Sequence, residues 1–223
     1  MKGRLRSIDI PENIWEKFVL QWDEIEKMGS DEVLKYLSNK GMSQPLITEI
    51  GCGTGDFLLK LSEYYSDFSI IGIDHAYTVI QRAVKKMSEK EIKNVVLINF
   101  DASKLVEKTG EKIKFNKIFI TFPDPWPKKK HHKRRLIQTQ YLEELYNILD
   151  ENGELIIISD HPDYQKWIYN KLVDFNKFKP ILKDRIYTDD MEEYKSMYPF
   201  TESTFYKKSL VKGHTTNFYL LRK

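Results

Sequence analysis

Across 223 residues the chain has one cysteine, Cys52, so an internal disulfide is excluded and a reducing compartment is indicated. No apolar run approaches the roughly 18 residues of a membrane span. Residues 1–10 carry charges without the apolar stretch of a signal peptide. A soluble, cytoplasmic protein with no membrane partner is expected. There is no internal repeat, low-complexity tract or obvious interdomain linker. Charge of neither sign dominates: 36 Lys and Arg stand against 33 Asp and Glu, a net of +3, so any basic character is local. His131 and His132 lack partners at metal-ligand spacing and His75, His161 and His214 are scattered, so no metal site is expected. What is present is 41% hydrophobic residues, enough for a large core in one compact domain.

The organisation follows from periodicity. Residues 1–10 form a short arm with Lys2, Arg4 and Arg6 on alternate positions, and Pro11 suits a helix start. Ile14, Phe18, Trp22 and Ile25 then recur at helical spacing, with Trp15 and Val19 widening the stripe, which predicts one core-facing helix. Ser30, Asp31 and Glu32 open a second helix that Gly41 ends. From Pro45 the pattern changes to strands over 46–50, 68–73, 95–100, 117–122 and 154–159, alternating with helices over 57–65, 77–87, 136–149 and 164–174. A short helix or loop is expected over 103–109, a weaker strand over 180–187 and a closing strand over 217–221. Such alternation predicts an α/β fold with a doubly wound, mostly parallel sheet and helices on both faces. Residues 1–44 read as a basic arm and helical extension, and 45–223 as the main domain.

On such sheets ligands bind beyond the carboxyl ends of the strands, so the residues that follow each strand are the informative ones. After the first comes Glu49-Ile50-Gly51-Cys52-Gly53-Thr54-Gly55, where glycines allow a tight turn and close approach to a ligand. The spacing is not that of a dinucleotide loop, because Asp56 takes the place of the last glycine. After the second strand comes Asp74, about twenty residues on, suited to accept both hydroxyls of a ribose. After the third comes Asp101-Ala102, where a carboxylate and a backbone edge suit an adenine, while Glu49 suits a ligand ammonium. Acids for an amine, a ribose and an adenine, without Lys or Arg for phosphates, fit S-adenosylmethionine and do not fit NAD.

The fourth strand runs into Phe122-Pro123-Asp124-Pro125-Trp126-Pro127, which predicts a stiff extended shelf bearing one carboxylate and one flat aromatic face. Lys128 to Arg135 then supplies six Lys or Arg and two His in eight residues. An acid and an aromatic for a base, beside cations for its phosphates, suggest a nucleic-acid substrate. No Pro-Cys pair follows this strand, which argues against covalent attack on a pyrimidine.

The glycine loop resembles that of Rossmann-like class I methyltransferases, and the run from Phe122 to Leu136 resembles the signature of bacterial tRNA (guanine-N7)-methyltransferases. The resemblance covers most of the chain from about residue 45. It implies methyl transfer from S-adenosyl-L-methionine to N7 of a guanosine in the tRNA variable loop (tRNA position 46). It also implies cofactor positions at Glu49, Gly51, Gly53, Asp74, Asp101, Ala102 and Asp124, with Asp124 catalytic. Lys128, Asp160, Ser203 and Tyr206 take substrate positions, the partner is tRNA, and the assembly is a monomer or a homodimer. Two departures stand out. Asp74 replaces the more frequent Glu, and in Ser203-Thr204-Phe205-Tyr206-Lys207-Lys208 a Ser replaces Thr and Tyr206 replaces Glu. A hydroxyl survives there and a carboxylate does not, although Thr201-Glu202 carries the same chemistry just upstream. The competing readings are a methyltransferase with another acceptor, and a non-catalytic RNA-binding subunit that keeps the fold.

Overall fold

The structure, a computed structural model, describes residues 6–21, 27–102, 112–202 and 204–223. The expected features at Lys2, Arg4, Trp22, Ile25, 103–109 and Ser203 lie outside the described residues. The chain divides into two compact units, Met1–Ile113 and Lys114–Lys223.

The first unit contains α1 (Glu12–Phe18), β1 (Val19–Gln21), α2 (Ser30–Asn39), β2 (Leu46–Ile50), α3 (Asp56–Tyr64), β3 (Ser69–Asp74), α4 (Tyr77–Glu89) and β4 (Val95–Asn99). Its strands lie in the order β1-β4-β3-β2 and every pairing is parallel. Parallel strands are covered on both faces and therefore read as unbroken apolar runs. All five residues of β2 and the first five of β3 are buried accordingly. Crossover helices α3 and α4 pack on β3, and α4 also on β4, with Leu58, Leu61, Ile80 and Val84 fully buried. Gln81 of α4 is buried and fastens the start of the chain. Its Nε2 donates to the Ile8 carbonyl (2.5 Å), while its Oε1 accepts from the Ile8 N–H (3.2 Å) and the Ser7 hydroxyl (2.9 Å).

The helix expected to run on through residue 25 instead ends at Phe18. Val19, Leu20 and Gln21 are a strand, in register with Leu97, Ile98 and Asn99 of β4. Long-range pairing of two buried, β-favouring positions overrides a helical spacing that happens to persist. The second helix begins at Ser30, as the sequence indicates. Gly29 is its N-cap, and the Glu32 carboxylate accepts the Gly29 N–H at 2.8 Å.

The second unit contains β5 (Phe115–Thr121), a 3-10 helix (Lys129–Arg134), α5 (Thr139–Ile148), β6 (Leu149–Ser159), α6 (Pro162–Phe175), β7 (Lys179–Pro180), β8 (Tyr187–Thr188), α7 (Met191–Lys195), α8 (Thr204–Val211) and β9 (Asn217–Arg222). β5 pairs with β6 in parallel, and β9 lies antiparallel on β6. The single weak strand expected over 180–187 is split. β7 and β8 both pair with β9, and residues 181–186 loop out between them, with Asp184 at positive φ and a Leu182–Arg185 bridge closing the loop. In the middle of β6, Glu154 binds Lys117 of β5, Arg222 of β9 (2.8 Å) and the Tyr198 hydroxyl (3.0 Å). Burial pushes its carboxyl up, but these hydrogen bonds outweigh burial and hold it below the ordinary glutamate value. Tyr194 stacks on Phe218 at 4.3 Å between ring centres, which docks α7 on the antiparallel edge.

Candidate functional site

In the first unit the chain leaves β2 through a loop that only glycine builds easily. Gly51, Gly53 and Gly55 all have positive φ (78°, 56° and 77°), a region that L side chains rarely adopt. The N–H groups of Gly51 and Cys52 both donate to the Ile73 carbonyl, at 2.8 and 3.0 Å. Gly55 is the N-cap of α3, and a Cβ there would come within 3.0 Å of the Ala83 Cβ. It therefore sets how closely α3 approaches α4. Asp56, in the place of a dinucleotide loop's last glycine, accepts from Lys86 (2.6 Å) and Thr54 (2.7 Å). Burial pushes its carboxyl up, and these bonds outweigh it and leave the group below its ordinary value. Lys86 thus ties α4 to the first turn of α3, a role that no motif marks in the sequence.

Three of the expected acids stand at the carboxyl ends of the adjacent strands β2, β3 and β4. Glu49 is 1% exposed and lies opposite Gly72. Asp74 closes β3, its Oδ2 accepting the Gly53 N–H (3.1 Å) and its Oδ1 the Ala76 N–H (2.9 Å). A carboxylate has about four acceptor sites, so two backbone bonds fix Asp74 and leave capacity for a ligand. Asp101, exposed, and Ala102 follow β4. Cys52 is buried in the loop. Burial, Glu49 and Asp74 together push its thiol well above the ordinary cysteine value, which leaves it protonated and unreactive.

In the second unit the segment after β5 departs from the extended shelf. Phe122 and Trp126 are both left-handed (φ 51° and 42°), each just before a proline. A following proline disfavours the right-handed helical region, and at these two positions the backbone turns to the left-handed region rather than staying extended. A bulky residue pays about 1–3 kcal/mol there and persists only where its surroundings hold it. Asp124, between the two bends, is exposed. The Trp126 ring is capped by the Arg134 guanidinium (5.0 Å) and met edge-on by His131 (5.8 Å).

The basic run folds into the 3-10 helix and is not uniform. Lys128, Lys129, Lys130, Lys133 and Arg134 are exposed, whereas Arg135 is 2% exposed. Arg135 Nε donates to the Pro125 carbonyl (2.9 Å) and its guanidinium pairs with Asp163, so it faces the interior and not a phosphate. Asp160 follows β6, half-buried, and His161 caps α6 ahead of Pro162. Tyr206, on α8, sits edge-on to Phe200 (4.9 Å), which in turn meets Tyr194 and Phe218. The tyrosine that replaces the motif's glutamate is thus joined to an aromatic cluster. Among the described residues no group of three or more His, Cys, Asp or Glu is placed to hold a metal, and no helix is long and apolar enough to cross a membrane.

Parallel strands that end in a left-handed glycine loop and a row of acids define an α/β methyltransferase fold that takes S-adenosylmethionine. A structure described as an antibiotic-related methyltransferase overlays with a TM-score of 0.59 at 17% identity, over 88% of this chain and 94% of that one. A SAM-dependent methyltransferase from Aquifex aeolicus overlays with a TM-score of 0.52 at 16% identity, over 96% and 99%. The family model "Putative methyltransferase" matches residues 43–218. The tRNA (guanine-N(7)-)-methyltransferase of Neorickettsia sennetsu is 31% identical over 175 residues, 77% of this chain and 74% of that protein. That of Macrococcus caseolyticus is 34% identical over 149 residues (66% and 69%), and that of Oceanobacillus iheyensis is 37% identical over 119 residues. The last match spans just over half of each protein, 53% of this chain and 55% of the relative. The chain belongs to the tRNA (guanine-N(7)-)-methyltransferase family.

Proposed function

We propose that this protein transfers the methyl group of S-adenosylmethionine to N7 of a guanosine in the variable loop of tRNA, in the cytoplasm. The observation that carries this reading is the exit of β5: an exposed carboxylate, Asp124, followed within ten residues by five exposed cations, Lys128 and four on the 3-10 helix it caps. A small acceptor has no use for five neighbouring cations, whereas RNA phosphates do. The family match begins at residue 43, which supports treating 1–44 as an extension of the catalytic domain.

The cofactor supplies an electrophilic methyl on a sulfonium. In this reading Glu49 accepts its ammonium, Asp74 its ribose hydroxyls, and Asp101 with the Ala102 backbone its adenine, while Gly51 and Gly53 let the backbone come close. The donor set fits: three acids at strand ends suit a cationic ligand, and Asp74 retains acceptor capacity beyond its two backbone bonds. Guanine N7 carries an in-plane lone pair and no proton, so no general base is needed to start the reaction. What the protein contributes is placement and compensation of the charge that arrives on the ring. Asp124 performs the second task and orients the guanine. Lys128 and Asp160 hold the nucleotide, and Tyr206 borders the acceptor. Replacing Asp124 by Ala should lower kcat on tRNA by about 100-fold or more, as loss of one charge-stabilising group does. Near-normal turnover by this variant would remove Asp124 from the chemistry.

A further inference from the structure

Arg135 is the last cation of the basic run and the only one of its six Lys and Arg that is buried. A guanidinium removed from water must be paired, because its desolvation is otherwise uncompensated. Nε donates to the Pro125 carbonyl at 2.9 Å, a terminal nitrogen pairs with Asp163, and the plane lies 5.0 Å from the ring centres of both Tyr164 and Trp167. Its partners on α6 are themselves fixed to the chain just beyond it. The Ile137 N–H donates to the Tyr164 hydroxyl (3.2 Å), and the Trp167 indole N–H donates to the Ile137 carbonyl (2.7 Å).

The loop it holds cannot hold itself. Pro123, Pro125 and Pro127 have no N–H to donate, so half of the residues from Phe122 to Pro127 offer no backbone donor. Two aromatic residues in the same stretch sit in the left-handed region, which needs outside support. One support comes from the strand side, where the Phe122 N–H donates to the Ile158 carbonyl (2.8 Å). Another is Arg135, which reaches the Pro125 carbonyl directly between Asp124 and Trp126.

We propose that Arg135 is the positioning residue for Asp124: its guanidinium clamps the proline-rich loop to the first turns of α6 and fixes the carboxylate between the two left-handed bends. The assignment rests on the methyl-transfer function above and adds that one member of the basic run serves geometry and binds no phosphate. A flat fork with two aromatic neighbours is specific to arginine, so lysine is a poor substitute despite its charge.

The test compares Arg135→Met, which fills the volume, and Arg135→Lys, which keeps the charge, with Lys133→Ala as a solvent-facing control. Two readouts are taken well below the melting temperature: steady-state methyl transfer to tRNA at several salt concentrations, and amide hydrogen exchange. Both Arg135 variants should lose about 10- to 100-fold in kcat, the scale of a misplacement near 1 Å. Their KM for tRNA and its salt dependence should stay within twofold of wild type. The Phe122 amide, hydrogen-bonded to the Ile158 carbonyl at the root of the loop, should exchange at least tenfold faster, with the amides of β6 and α5 unchanged. Lys133→Ala should do the reverse, raising KM and flattening the salt slope with normal exchange. A raised KM with a flatter slope in the Arg135 variants would make Arg135 a phosphate ligand and overturn the proposal. Lower thermal stability with unchanged kcat and exchange would make it mere packing, and overturn it equally. Should wild type transfer no methyl to tRNA, the function above falls, and exchange at Phe122 still decides the clamp. Where Arg135→Met fails to fold, Arg135→Lys carries the same decision.

Discussion

Gly72 lies in the middle of β3, and a single methyl there should disturb both stability and the glycine loop. A Cβ at this position would stand 2.4 Å from Leu58 Cδ1, 2.9 Å from Leu97 Cδ2 and 3.2 Å from Cys52 Sγ. Carbon atoms rest about 3.5–4.0 Å apart, so Leu58 must withdraw by roughly 1 Å. Leu58 and Leu97 are both fully buried, so neither can withdraw into solvent. Overpacking of this kind costs about 1–3 kcal/mol. For a chain of this size each kcal/mol lowers the melting temperature by about 2–4 °C, so Gly72→Ala should melt roughly 2–12 °C lower. Because Leu58 belongs to α3, which begins immediately after the glycine loop, S-adenosylhomocysteine should also bind more weakly. Equilibrium urea unfolding of Gly72→Ala, Leu58→Ala and the double variant isolates the contact. The glycine substitution should cost at least about 1 kcal/mol less when Leu58 is already truncated, as expected for directly touching residues. An unchanged melting temperature, or the same penalty on both backgrounds, would refute the reasoning.

Other outcomes follow from the same structure. Replacing Lys129, Lys130 and Lys133 together with Ala should raise KM for tRNA more than it lowers kcat. The slope of log affinity against log salt should become shallower by about 2–3, at roughly 0.7–0.9 for each phosphate no longer neutralised; an unchanged slope would remove the patch from RNA binding. Glu154→Gln should cost about 1.5–3 kcal/mol at pH 7, the scale of hydrogen bonds to a charged group, as measured by urea unfolding. The folded-state value of Glu154 is depressed below the ordinary 4.5. Its stabilisation is therefore fully present above pH 4.5 and is lost as the pH falls through the folded value. The gap between wild type and Glu154→Gln should narrow as the pH falls below 4.5, and a gap that kept its full pH 7 size throughout acid unfolding would contradict the network.

The first unit was largely readable from the chain, since buried parallel strands announce themselves as short apolar runs and their glycine and acid termini fall at regular places. Glu49, Asp74 and Asp101 stand out because they fall at the carboxyl ends of strands. What escaped was decided by partners distant in sequence. Val19 and Leu20 continue a helical spacing, yet pairing with Leu97 and Ile98 makes them a strand. Arg135 sits in a run of cations that reads as solvated, and only Asp163, Tyr164 and Trp167, some thirty residues on, draw it inside. The proline rule pointed away from the right-handed helical region at Phe122 and Trp126, but could not choose between an extended backbone and the left-handed bend that each adopts. Lys86 carries no motif at all, because its role depends on how closely Gly55 lets two helices approach.

The central claim is tested most directly by methyl transfer from labelled S-adenosylmethionine to two unmodified tRNA transcripts. One transcript carries the variable-loop guanosine and the other has adenosine in its place. Label on the first alone, released by chemistry selective for 7-methylguanosine, is the predicted result. Equal label on both would contradict the assigned position. Absence of label, with S-adenosylhomocysteine still raising the melting temperature, would contradict catalysis and leave a silent RNA-binding subunit.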